Sequence, residues 1–176
     1  MQTLDDGSYL EVDGRPAVRF SRVYAAPRER VWRAITESDD LRHWFPSPEV
    51  SIDVAAGTIT MSGDPYAREA RTTAVLTWDP PHRLGFEWDG NELHFSLAEV
   101  EGGCRLELLN VLAQPGEASR NAGGWEMCLA DLERLVRGDP RPAGPGEGSM
   151  ADFLPVLEKY KQLGLPDDGW LPEEPA

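Results

Sequence analysis

Between residues 49 and 112 apolar and polar side chains alternate with a period of two, and turn residues cut the alternation at short intervals. Alternation of this kind reads as half-buried β-strands. Six are predicted, at residues 50–54, 58–61, 71–78, 84–88, 93–100 and 104–112. The breaks between them are Ala56-Gly57, Gly63-Asp64-Pro65, Asp79-Pro80-Pro81, Asp89-Gly90-Asn91 and Gly102-Gly103, all residues that favour tight turns. Short turns imply antiparallel neighbours. Ala17, Val18, Phe20, Val23 and Tyr24 suit one further strand ahead of the run, which makes about seven strands in one antiparallel sheet with one face buried. In the fourth and fifth segments the apolar sets are Leu84, Phe86 and Trp88, then Leu93, Phe95 and Leu97, each on a single face.

The period changes to 3.6 on both sides of this run. Pro27 suits the first turn of a helix, and Val31, Trp32 and Ile35 follow on one face. A second short helix is expected from Ser38, as cap, to a point before Pro46. The longest helical pattern covers residues 119–136, with Trp125, Leu129, Leu132 and Val136 spaced i, i+4, i+7 and i+11. Gly123 and Gly124 near its start weaken it by on the order of 1 kcal/mol each relative to alanine. Close approach to strand backbone, room for a ligand, or a frayed helix start would each account for them. The chain reads as α+β: a sheet framed by helices that must cover one of its faces.

The ends differ in character. Residues 1–15 read as a leader, with a possible short strand at 9–12 before the Asp13-Gly14 turn, and residues 16–137 as the main domain. Residues 138–151 read as a linker, because proline and glycine at that density oppose helix and sheet. Residues 152–176 read as a last helix and an acidic tail, with Asp152 as N-cap, Pro155 in the first turn and Gly164 at the close. That helix can pack on its own domain or on a second subunit, and a homodimer is a reasonable expectation.

Composition narrows the function. The 176 residues carry a formal charge of −14, spread along the chain. This argues against nucleic acid and anionic membranes as partners, since phosphate binding needs a basic patch. The start of the chain has no basic or apolar signal region, no apolar run approaches the length of a bilayer span, and Cys104 and Cys128 are too few for a disulfide framework. A cytoplasmic protein is expected. His43, His82 and His94 are scattered and form no metal-binding spacing, and no nucleophile elbow or dinucleotide fingerprint occurs. No metal, cofactor or catalytic residue is assigned.

Five segments in order carry a family likeness. They are Ala26-Pro27 with Val31-Trp32; Leu41 with Trp44-Phe45 and Pro48; the run from Val75 to Trp88 with Asp79-Pro80-Pro81-His82-Arg83-Leu84; the run from Val100 to Leu108; and Gly124-Trp125 with Leu129 and Leu132. Over residues 16–137 the chain resembles the activator of Hsp90 ATPase homologue 1-like family, of the START-like or Bet v 1-like (SRPBCC) superfamily. The resemblance implies a helix-grip fold: a strand, two short helices, a six-stranded meander, and a long helix across the concave sheet. It further implies a cavity between sheet and helix that takes an apolar molecule, in some members with cyclisation, dehydration or hydrolysis.

The candidates to line that cavity are Trp44 and Phe45 at the mouth, Met61, Trp78, Phe86 and Trp88 on strands, and Trp125 and Cys128 on the long helix. Each is also an ordinary core residue. His94 has the opposite parity to Leu93 and Phe95, which points it outward. Turned inward it would be the one titratable group in the cavity. The expected activity is binding of a small hydrophobic or aromatic molecule. A cyclase or hydrolase using the cavity, or a chaperone-interaction module, are the alternatives. A wholly apolar lining favours the first over the second.

Overall fold

Each short break bends the chain back on itself, and the strands join into one antiparallel sheet in the computed structural model, which describes residues 6–64, 69–142 and 149–170. The sheet contains β1 (Ser8–Val12), β2 (Arg15–Tyr24), β3 (Glu49–Asp53), β4 (Thr58–Ser62), β5 (Arg71–Asp79), β6 (Arg83–Trp88), β7 (Asn91–Val100) and β8 (Gly103–Val111). Their spatial order is β1-β2-β8-β7-β6-β5-β4-β3. Two Asp-Gly pairs make two-residue hairpins. Asp13-Gly14 and Asp89-Gly90 all have φ between 50° and 80°, the mirror-image turn whose twist matches paired strands.

The sheet has eight strands where about seven were expected. β1 pairs with β2 along its whole length, from Ser8 opposite Arg19 to Val12 opposite Arg15, so this part of the expected leader belongs to the sheet. The first five residues of that leader, residues 143–148 of the linker and residues 171–176 of the tail lie outside the described residues.

Helix α1 (Arg28–Thr36) buries Val31, Ala34 and Ile35 against the concave face, while Trp32 turns aside to pack on Trp78. Helix α2 (Ser38–Leu41) is a single turn, and Ser38 does not cap it. Its hydroxyl donates to the Val50 carbonyl at 2.5 Å, which ties α2 to the edge strand β3. Helix α3 (Ala118–Val136) crosses the sheet and buries Ala122, Trp125, Leu129, Leu132 and Leu135. Leu135, not Val136, continues the buried stripe. The Tyr24 hydroxyl donates to the Leu129 carbonyl at 3.2 Å, and burial pushes its pKa well above the usual value of 10.0.

The last helix, α4 (Ser149–Gln162), packs on α3 of its own chain. It starts three residues earlier than expected, so Asp152 lies in its first turn and Pro155 inside it. Gly164, with φ 88°, ends it as expected: the Leu165 amide returns to the Tyr160 carbonyl and the Gly164 amide to Lys161. The segment beyond then covers the start of α3. Ser119 donates its amide to the Pro166 carbonyl and its hydroxyl to the Leu165 carbonyl, both at 3.0 Å, filling the role of a helix cap.

Gly123 now has a reason. A Cβ there would lie 3.2 Å from the Phe153 ring and 3.5 Å from the Leu157 amide nitrogen, so it permits close approach to α4, not to a strand. Gly124 faces open space.

Gly103 is the most constrained turn glycine. Its φ is 151°, and a Cβ would fall 1.9 Å from the Tyr24 carbonyl oxygen. Replacing it forces β2 and β8 apart where they pair. Gly103→Ala is expected to lower stability by roughly 2–4 kcal/mol, read as a drop in urea midpoint with the slope unchanged.

Candidate functional site

Trp44 and Phe45 follow α2, where the chain turns with the amides of both residues bonded to the Leu41 carbonyl. The turn drops both rings onto the concave face, where they are 1% and 4% exposed. Trp44 is fixed by its indole N–H, which donates to the Ala34 carbonyl of α1 at 2.8 Å. Phe45 has no polar anchor and sits among rings. Its centroid lies 5.6 Å from Trp44, 6.1 Å from Phe86, 6.3 Å from Trp88 and 6.0 Å from Trp125. Trp88 and Trp125 meet edge to face at 5.2 Å, the arrangement that aligns ring quadrupoles favourably.

Asn110 holds this cluster to the sheet. It is fully buried on β8, and its Oδ1 accepts from the Trp125 indole N–H at 3.1 Å. Its Nδ2 donates to the Glu92 carbonyl at 3.2 Å. Its parity with Leu106 and Leu108 is the signal in the sequence for this burial.

Beside these rings lies the space bounded by Ile35, Leu41, Trp44, Phe45, Val50, Ile59, Phe86 and Phe95. It is walled by apolar and aromatic side chains and too tightly filled to admit a water molecule. Five of its residues, Ile35, Leu41, Val50, Ile59 and Phe95, were not singled out as site residues, although the periodicity had put Ile35 and Phe95 on buried faces.

The expected lining residues separate into groups. Trp44, Phe45, Phe86, Trp88 and Trp125 come together. Met61 is buried on β4 in the same apolar core. Trp78 lies apart, half-buried, with its ring 5.3 Å from Trp32. Cys128 is half-buried on α3 beside Asp131, and burial pushes its thiol up to about 12, too high for a nucleophile near neutral pH.

His94 faces away from the cluster. It lies over Gly85 on the outer side of the sheet, where a Cβ on Gly85 would come within 2.8 Å of its Nδ1. Its Nε2 donates to the Glu92 carboxylate at 2.9 Å, and Arg15 reaches the other carboxylate oxygen at 2.9 Å. His82 is exposed beside Arg28, and His43 contacts the Arg141 carbonyl at 2.7 Å. Among the described residues no group of three or more His, Cys, Asp or Glu side chains could hold a metal ion. No helix of the described residues is long and apolar enough to cross a membrane.

The family model described as activator of Hsp90 ATPase homolog 1-like protein matches residues 25–137. No curated protein matches the chain. Among solved structures it is similar to EF2215 of Enterococcus faecalis, a conserved protein of unknown function, at 20% identity and TM-score 0.70, covering 92% of both chains. It is also similar to CalU16 of Micromonospora echinospora, at 22% identity and TM-score 0.68, covering 93% of this chain and 98% of the other. A third is the BPP1335 product of Bordetella parapertussis, at 22% identity and TM-score 0.66, covering 98% and 95%. At such identities the likeness is one of fold.

Two outcomes are expected from this geometry. Phe45→Ala removes the ring that four others contact, and should cost about 3–5 kcal/mol by urea denaturation. The hydrogen bond from His94, followed by Arg15, holds the Glu92 carboxyl below its usual value of 4.5. A depressed folded-state pKa adds stability above the usual value that is lost as pH falls through the folded one. His94→Leu should therefore move the Glu92 carboxyl titration upward, as followed by NMR of its side-chain carbon, and weaken the protein least at low pH.

Proposed function

Because the chain belongs to the activator of Hsp90 ATPase homolog 1-like family, we propose that it is a cytosolic binding protein. Its ligand is a small, uncharged, hydrophobic or aromatic molecule, held on the concave face of the sheet in the place of the Phe45 ring, between the apolar space walled by α1, α2 and the strands and Trp125 of α3. The observation that carries this reading is the set of rings around Phe45, which a ligand ring would replace.

The chemistry supports binding over catalysis. The lining contains no titratable side chain, and general acid–base or nucleophilic chemistry needs one within reach of the substrate. Where such a pocket is apolar throughout, affinity comes from buried area and shape. The fixed polar groups against these rings are already engaged, the Trp44 indole by the Ala34 carbonyl and the Asn110 amide by Trp125 and Glu92. An anionic ligand would find no cation in the lining to replace its lost hydration, so the ligand class is neutral.

Phe45 is the ring a ligand can displace most readily. Trp44 and Trp125 are tied by indole hydrogen bonds, and Phe86 stands on a central strand, whereas Phe45 lies on a connection and is held by packing alone.

Titration with the neutral fluorophore 1-aminoanthracene tests this. Wild type should bind it with quenching of tryptophan emission, and Phe45→Leu, which clears part of the site, should bind about tenfold more tightly. Val23→Ser on the exposed outer face should bind as wild type does. Absence of binding by both wild type and Phe45→Leu would refute the reading.

A further inference from the structure

The flank of the grip between α3 and β2 is closed by one residue of α4. The Tyr160 ring is fully buried and meets Phe20 of β2 edge to face at 6.3 Å. Its hydroxyl donates to the Glu126 carboxylate of α3 at 2.5 Å and accepts the Gly7 amide at 2.9 Å. Beside it, the Lys159 ammonium lies 2.8 Å from Asp6 and 2.6 Å from Glu126. Two adjacent residues thus join the beginning of the sheet, α3 and α4.

The rest of α4 is held much less. Of its described side chains, only Leu157 and Tyr160 are buried, while Leu154 is 42% exposed. Pro155, inside the helix, removes one backbone hydrogen bond. Beyond the helix the chain is anchored, with Leu165 in the core and Ser119 and Arg120 of α3 bonded to Leu165, Pro166 and Asp168, so the part that can open locally while the remaining fold persists is α4 itself, swinging from that anchored end. The apolar core is nevertheless continuous from Tyr160 and Phe20 through Trp125 to Phe45. Releasing Tyr160 would therefore uncover the same interior from its flank and free α3, which carries Trp125, to move off the sheet.

We propose that α4 is a hinged lid, latched by Tyr160 and Lys159, whose release admits ligand to the filled interior. The proposal rests on the reading of that interior as a ligand site. It lies outside the matched family region, since α4 follows residue 137. The closed state is the one seen, and ligand uptake is limited by its opening.

Gly123 and Leu157 supply a lock. A Cβ at position 123 lies 3.6 Å from the Leu157 Cα, which puts the two Cα atoms no more than about 5 Å apart, close enough for a disulfide. Gly123→Cys with Leu157→Cys should, when oxidised, take up 1-aminoanthracene at least tenfold more slowly than when reduced. Tyr160→Phe, which keeps the ring and removes the hydroxyl, is the second variant. Its α4 amides should exchange with deuterium at least tenfold faster than in wild type, with the exchange of β7 and β8 unchanged, and its uptake should be faster. Equal uptake by oxidised and reduced forms, with wild type binding the probe, would overturn the lid and leave the ligand site standing. No uptake by any form would overturn both. Unchanged α4 exchange in Tyr160→Phe would overturn the latch.

Discussion

The bond between the Trp125 indole and the Asn110 amide fixes how the long helix lies on the sheet. Most of the contact between α3 and the concave face is apolar and tolerates sliding by a fraction of a turn. A buried amide does not. Asn110 and Trp125 are 0% and 2% exposed, and an orphaned polar group in such a place costs about 1–3 kcal/mol. The hydrogen bond therefore sets one register for α3, and the rings of Trp88 and Phe45 take their positions against Trp125 in that register. Other polar contacts to α3 include Tyr24 to the Leu129 carbonyl, Ser119 to the tail, and Glu126 to Tyr160 and Lys159.

Much of the fold is legible in the chain because its signals are local. Asp-Gly pairs declare hairpins whatever surrounds them, and alternation declares which side of a strand is buried. β1 was harder to assign because Tyr9 and Leu10 are only half-buried at an edge, so its alternation is shallow and its evidence is pairing, which a sequence does not display. Leu76 shows another limit. A register shift between Val75 and Thr77 on β5 turns Leu76 out to 44% exposure while Val75 and Trp78 stand opposite the inward residues Phe86 and Leu84. Simple period-2 reasoning fails at such a bulge.

The site was legible in part for the same reason. Trp44, Phe45, Phe86, Trp88 and Trp125 are aromatic, and large rings on buried faces are readily nominated. Sequence does not tell which rings meet, so Trp78 looked equal to Trp88 although it packs on Trp32. Parity points His94 outward, while its bond to Glu92 comes from a same-face neighbour two residues away. The glycines of α3 needed tertiary knowledge. Gly123 answers to α4, an element more than twenty-five residues later in the chain.

A filled interior is what energetics require of an apolar binding site in the absence of its ligand. An unrelaxed apolar cavity costs about 24 cal/mol per Å³, so one of about 300 Å³, the small end of ligand pockets, would cost about 7 kcal/mol if left empty. That rivals the entire stability of an ordinary domain, about 5–15 kcal/mol. A chain that uses such a site therefore either keeps a ligand bound or fills the space with its own side chains. Here the Phe45 ring fills it, from a connection and held by packing against other rings. On the proposed binding function, an incoming ring would exchange one apolar contact set for another, and its net affinity would reflect the difference between the two. Selectivity under that proposal would come from how well a ligand reproduces the four ring contacts that Phe45 already makes.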